Sequence, residues 1–140
     1  MADPYVLVDT SAFINLTRSR SRAAVLRPYV EASRVVLSFV SVAELRRGAR
    51  RRGYNQDSWR RMELEITGAV VVPPTDDLSN EWARLSDDAR QQGHPLGGKA
   101  HAHDGWIAAT ARLYDLPLLT EDGDFEGFGG LRLLPPRPSD

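Results

Sequence analysis

Four acidic residues, Asp9, Glu44, Asp104 and Asp122, each stand where an apolar element ends or begins, and together they define the chemistry open to this chain. Carboxylates packed side by side repel, and some are driven to protonate unless a cation lies between them. Oxygen ligands in a chain with no cysteine suit a hard divalent ion such as Mg2+ or Mn2+. Mg2+ characteristically takes one or two carboxylates, keeps several waters and completes its shell with substrate phosphate. Each acid also has a plainer reading. Asp9 and Asp104 fit helix caps, Ser41-x-x-Glu44 is a capping box on its face, and Asp122-Gly123 is a common turn pair. The chemical reading gains because all four fall at one expected sheet edge, and because Asp104 opens a helix too apolar to be exposed.

The elements that must position them follow from the hydrophobic pattern. Val6-Leu7-Val8 is apolar at consecutive positions, which predicts a strand over Tyr5 to Val8 buried on both faces, with Asp9 at its carboxyl end. Thr10 and Ser11 are good helix starters, and a short helix is expected from Ser11 to about Thr17. Ala23, Leu26 and Val30 give a second helical stripe, interrupted at Pro28. Val35-Val36-Leu37 is a second strand. A helix from Ser41 to Arg51 follows, with Glu44 in its first turn, and Trp59, Met62 and Ile66 mark another.

Ala69 to Val72 is a third strand, and Leu78, Trp82, Leu85 and Ala89 fall at helical spacing with Gly93 as the stop. A Gly-rich loop from His94 to His103 leads into a helix from Asp104 to Tyr114 that is apolar almost all round. Leu118-Leu119 and Leu131 to Leu134 supply the last two strands. Short strands alternating with helices give an α/β class with a parallel sheet covered on both faces. Strand ends and helix starts then share one edge, where such sheets place their ligands. Residues 1–134 are expected to form a single domain, and 135–140 a frayed C-terminal tail.

At 140 residues the chain has one domain's length. It has no apolar run near the ~20 residues of a membrane span and no signal-peptide pattern, so a cytoplasmic protein with no membrane contact is expected. A net charge of −1 hides an asymmetry. Residues 18–61 hold twelve Arg against Glu31, Glu44 and Asp57, whereas the chain from Met62 onward holds fourteen acids against six bases. A basic half beside an acidic half suggests a polyanion laid across a metal-bearing site, with solvated helix faces as the competing explanation. Arg46, Arg47, Arg50, Arg51 and Arg52, which follow Glu44 on one helix, are the candidates to grip phosphates.

Four stretches carry a resemblance. Leu7-Val8-Asp9-Thr10-Ser11, Ser41-Val42-Ala43-Glu44-Leu45, Asp104-Gly105-Trp106-Ile107-Ala108-Ala109-Thr110-Ala111 and Leu118-Leu119-Thr120-Glu121-Asp122-Gly123-Asp124-Phe125 are similar to the signature blocks of PIN-domain ribonucleases. Their order, their spacing and the chain length most resemble the VapC-type toxins of bacterial toxin–antitoxin pairs. The resemblance implies a PIN-like three-layer fold with a five-stranded parallel sheet. It also implies Mg2+- or Mn2+-dependent cleavage of RNA with Asp9, Glu44, Asp104 and Asp122 as the acidic cluster. The resemblance further implies that Thr10 or Ser11, with Thr120, supports that cluster through hydrogen bonds, and that Asp124 is either a substitute for Asp122 or its partner. A small cognate antitoxin and a homodimer are implied as partners. Gly105 and Trp106 occupy places where many relatives carry small or aliphatic residues, which bears on packing.

In the mechanism these readings suggest, Asp9 and Asp104 hold the ion while Glu44 and Asp122 bind a second ion or orient water for in-line attack. A catalytically silent PIN-like binding module and a housekeeping RNA-processing nuclease are the competing functions. His94, His101 and His103 read as surface histidines of a flexible loop, because the zinc-hydrolase pattern fails at Gly105 and Trp106. An aspartyl phosphatase would need a second Asp where Ser11 stands. Gly97-Gly98-Lys99 lacks the rest of a P-loop. Trp59, Trp82 and Trp106 lie on apolar stripes and read as core.

Overall fold

The computed structural model describes residues 3–137. The elements run β1 (Tyr5–Val8), α1 (Thr10–Arg18), α2 (Arg20–Leu26), β2 (Arg34–Ser38), α3 (Phe39–Arg51), α4 (Gln56–Thr67), β3 (Val70–Val72), α5 (Asp76–Gln91), α6 (Ala102–Tyr114), β4 (Leu118–Leu119) and β5 (Leu133–Leu134). All five strands are parallel, in the order β3-β2-β1-β4-β5. The chain builds outward from β1 to β3 and then crosses back to place β4 on the other side of β1. The switch point therefore lies between β1 and β4, where open sheets of this kind leave a crevice at their carboxyl ends.

Alternation along β1 explains the three layers. Val6 and Val8 face a core with Phe13 of α1, Leu26 of α2, Leu45 and Ala49 of α3 and Met62 and Ile66 of α4. Leu7 faces the opposite core, with Leu78 and Leu85 of α5, Ile107 and Ala108 of α6, Leu118 and Phe125. A strand buried on both sides cannot alternate polar with apolar, which is why its sequence reads as one apolar run. Pro28 ends α2 by starting a 3-10 turn over Arg27–Tyr29. Glu81 of α5, 8% exposed, is neutralised by Arg112 of α6, whose Nε lies 3.0 Å from its Oε1.

Three helix starts differ from the sequence expectation, and at two of them a cap lies earlier than expected. Asp9, not Thr10 or Ser11, caps α1, its side chain accepting from the Ala12 amide. Ser38 caps α3 at the end of β2, so that helix begins at Phe39, two residues before Ser41. The Ser41–Glu44 capping box is therefore not formed, Ser41 is buried, and Glu44 lies in the second turn. Helix α6 starts at Ala102, with Asp104 inside its first turn. The loop before it is built from 3-10 turns over Pro95–Gly97 and Lys99–His101. Gly97 is required there, since a Cβ would sit 2.6 Å from the Arg90 backbone nitrogen. Of the expected tail, 138–140 lie outside the described residues, while Arg137 donates from Nη2 to the Thr120 carbonyl (2.8 Å) and from Nε to Glu126 (2.7 Å). Among the described residues, no helix is long and apolar enough to cross a membrane.

Leu7 is fully buried on the central strand. Its replacement by Ala should cost roughly 2–5 kcal/mol in urea unfolding, because the two covering layers cannot collapse onto the void. Val25→Ala on exposed α2, by contrast, should change stability by only about 0.5 kcal/mol or less.

Candidate functional site

The predicted acids converge at the carboxyl edge of the sheet. Asp9 leaves β1 and is only 5% exposed. Its Oδ1 accepts from the Ala12 amide at 2.8 Å, and its Oδ2 accepts from the Thr120 hydroxyl beyond β4. Thr120 Oγ1 in turn accepts from the Asp122 amide at 3.0 Å. One hydroxyl thus ties the end of β1 to the loop after β4, and the parallel register Val8↔Leu119 brings the two into reach. Asp122 caps the 3-10 turn Gly123–Phe125, accepting from the Asp124 amide at 2.9 Å.

On the other side, Thr10 Oγ1 lies 2.8 Å from Glu44 Oε1 and 2.9 Å from Ser41 Oγ. Thr10 is therefore the hydroxyl that orients Glu44, while Ser11 is exposed on the first turn of α1. The earlier start of α3 serves this arrangement, because Ser41 and Glu44 share the face that meets Thr10, as i and i+3 positions do.

Electrostatics identify the centre of the cluster. Burial pushes the Asp9 carboxyl above its ordinary value; the Thr120 and Ala12 donors pull it back, and the charges of Asp104 and Asp122 push it up again. Asp104 is raised as well, first by burial and then by the charges of Asp122 and Glu44, with His101 acting against them. A buried and a half-buried carboxylate that both resist ionisation, each facing further carboxylates, are the condition a divalent cation relieves. The donor set therefore fits a metal ion, with oxygen ligands available from Asp9, Asp104, Asp122, Asp124 and Glu44.

One contributor was missed by sequence reasoning. His101 is half-buried rather than a surface histidine, and its Nδ1 lies 3.4 Å from Asp104 Oδ2 and 3.3 Å from Asp124 Oδ2. These three ligand atoms all lie within 4.8 Å of one another. The signal was available in the i, i+3 spacing of His101 and Asp104 at a helix start. His103 Nδ1 sits 3.4 Å from Glu44 Oε2, and His94 is occupied elsewhere, with Nε2 at 2.7 Å from the Glu126 carbonyl.

The arginines of α3 divide between two faces. Arg46 is held in a two-pronged pair by Glu63 of α4, at 2.9 and 3.0 Å, and Arg50 lies over the ring of Trp59. Arg47 turns the other way and lines a depression with Glu44, His103, Phe39 and Trp106. Arg51, one turn further along, is exposed on the Arg47 side. Trp106 stacks on Trp82 with ring centroids 5.0 Å apart, and Gly105 permits the approach, since a Cβ there would lie 3.3 Å from Trp82 Nε1.

Comparison with known proteins agrees with the fold. A family model described as PIN domain matches residues 6–131. The chain is 30% identical over 126 residues to Ribonuclease VapC5 of Mycobacterium tuberculosis, covering 89% of this chain and 87% of that protein. The solved VapBC-1 structure from nontypeable Haemophilus influenzae is similar with a TM-score of 0.72 at 26% identity, covering 92% of this chain and 96% of that one. VapBC-5 from Mycobacterium tuberculosis, a member of the VapBC family of toxin-antitoxin systems, gives a TM-score of 0.66 at 26% identity over 94% of this chain and 98% of its own.

A carboxyl raised in the folded state holds its proton more tightly there than in the unfolded chain. Its stabilising contribution is present at low pH and lost as pH rises through the folded value. Asp9 and Asp104 both carry this sign. Asp9→Asn removes the loss at one of them, and the amide oxygen can still cap α1. In chelator, the Asp9→Asn variant should unfold at higher urea than the parent near neutrality, with the gap closing on acidification below the raised value. A gap that instead widens in acid would contradict the assignment.

Proposed function

Because this chain belongs to the PIN-domain family, among the VapC ribonucleases, we propose that it is a metal-dependent endoribonuclease toxin of the bacterial cytoplasm, hydrolysing RNA phosphodiester bonds and neutralised by a cognate antitoxin. The observation that carries this reading is Asp9, desolvated at the switch point and facing Asp104 and Asp122. Asp9, Asp104, Asp122 and Glu44, with Asp124 beside them, would hold Mg2+ or Mn2+. Such an ion supplies Lewis-acid charge to the phosphodiester and makes water a competent nucleophile near neutral pH.

The chain's own residues do the positioning. Thr120 fixes the rotamer of Asp9, and Thr10 fixes that of Glu44. With Oε1 engaged by Thr10, Glu44 has Oε2, which His103 Nδ1 approaches at 3.4 Å, to orient the attacking water. Water would attack phosphorus in line with the P–O3′ bond, which breaks as the 3′ oxygen leaves and takes up a proton, so the products are a 5′-phosphate and a 3′-hydroxyl and no cyclic phosphate forms. Of the basic residues, Arg47 and Arg51 stand on the site side of α3 to meet the strand, whereas Arg46 and Arg50 are already engaged. The antitoxin assignment draws on structural relatives that are VapBC toxin–antitoxin complexes. A homodimer belongs to the same reading, and Leu64, 65% exposed on α4, is apolar surface available to a partner.

Asp9→Asn and Asp104→Asn should each abolish cleavage of RNA while circular dichroism remains that of the parent, and chelation should do the same to the parent. An Asp9→Asn variant that cuts at the parental rate would sink the proposal, and RNA bound but never cut in the presence of Mg2+ or Mn2+ would leave a binding module. For the arginines, Arg47→Ala and Arg51→Ala should each weaken RNA binding and lower the slope of log affinity against log salt by about 0.7. Arg46→Ala should leave that slope unchanged.

A further inference from the structure

We propose that His101 is a nitrogen ligand of the bound divalent ion, beside Asp104 and Asp124, and that it makes this centre favour Mn2+ over Mg2+. The inference rests on the proposed metal-dependent reading but reaches past it, since that reading needs oxygen ligands only. Geometry is the first support. His101 Nδ1 lies 3.3 and 3.4 Å from two carboxylate oxygens that belong to different segments. Those separations are long for an N–H···O hydrogen bond, which runs about 2.7–3.2 Å. They are close to the spacing of neighbouring ligands on one octahedral ion, about 3 Å when each ligand stands roughly 2.1 Å away.

Placement is the second support. The 3-10 turn Lys99–His101 is anchored upstream by the close approach of Gly97 to Arg90 and continues directly into α6. The imidazole is therefore delivered to the cluster by a braced segment, with its side chain 30% exposed. Neither other histidine has this setting. His94 is bonded to the Glu126 carbonyl and the Leu96 amide, and His103 meets one carboxylate among the described residues, that of Glu44. Imidazole is a softer donor than carboxylate or water, so its entry favours a first-row transition ion over Mg2+.

Full-length protein loaded with Mn2+ tests this by pulsed electron paramagnetic resonance, which detects nitrogen bonded to the ion independently of activity. The parent should show nitrogen modulation that disappears in His101→Ala and persists in His103→Ala. Calorimetric titration of the same His101 variant should show Mn2+ affinity reduced about tenfold or more, with Mg2+ affinity nearly unchanged. Mn2+ binding without nitrogen modulation, or modulation that survives in the His101 variant, would overturn the role of His101 and leave the oxygen-ligated reading intact. Failure of the parent to bind either ion would overturn both. A His101 side chain that merely pairs with the two acids as a cation would give no modulation in the parent.

Discussion

The structure depends on holding several carboxylates at one sheet edge against their mutual repulsion. Asp9 bears most of this, being buried and facing Asp104 and Asp122. Two donors keep it in place: the Ala12 amide at the start of α1 and the Thr120 hydroxyl at the end of β4. One is a backbone amide and the other a buried side-chain hydroxyl, so the carboxylate is oriented before any ligand arrives. The same side chain caps a helix and forms the heart of the cluster. The cap reading of Asp9 holds for Oδ1, which accepts from the Ala12 amide, while Oδ2 accepts from the Thr120 hydroxyl on the side of the other acids.

The scaffold around this edge is arranged to keep it stiff. The central strand is buried on both faces, β4 pairs directly with it, and the loop after β4 is pinned through Thr120 and through Arg137 on its carbonyl. On the α6 side, Gly97 and Gly105 allow backbone and indole to approach more closely than a side chain would permit. The Trp82–Trp106 stack and the Phe39 edge contact fill the space beside the cluster with rigid rings. Asp104 is thereby carried on a helix that has little room to shift.

Much of this was legible in the sequence because the relevant signals are local. Buried strands show as apolar runs, helices as stripes at Ala23 and Leu26 or Leu78, Trp82 and Leu85, and Asp9, Asp104 and Asp122 as acids at or near element ends, whereas Glu44 lies in the second turn of α3. The starts of α1 and α3 escape such reading because several capping side chains compete within a few residues, and tertiary packing chooses among them. Ser38 prevails over Ser41 because Ser41 is needed against Thr10. The inward turn of His101 depends on the docking of a 3-10 segment against Arg90, a long-range contact that no local pattern encodes. The division of the α3 arginines is likewise hidden, since Glu63 and Trp59 arrive from another helix.

The parallel order β3-β2-β1-β4-β5 also has a consequence for the life of the chain during synthesis. Asp9 and Glu44 emerge from the ribosome early, but Thr120, Asp122 and Asp124 follow only after α6 has been made. A nascent chain halted before β4 already carries Asp104 but lacks the hydroxyl that steadies Asp9 and the second acid that faces it, Asp122. The molecule therefore acquires its complete cluster only once β4 and the loop after it have emerged, and prematurely terminated fragments carry the basic helices without the full set of acids.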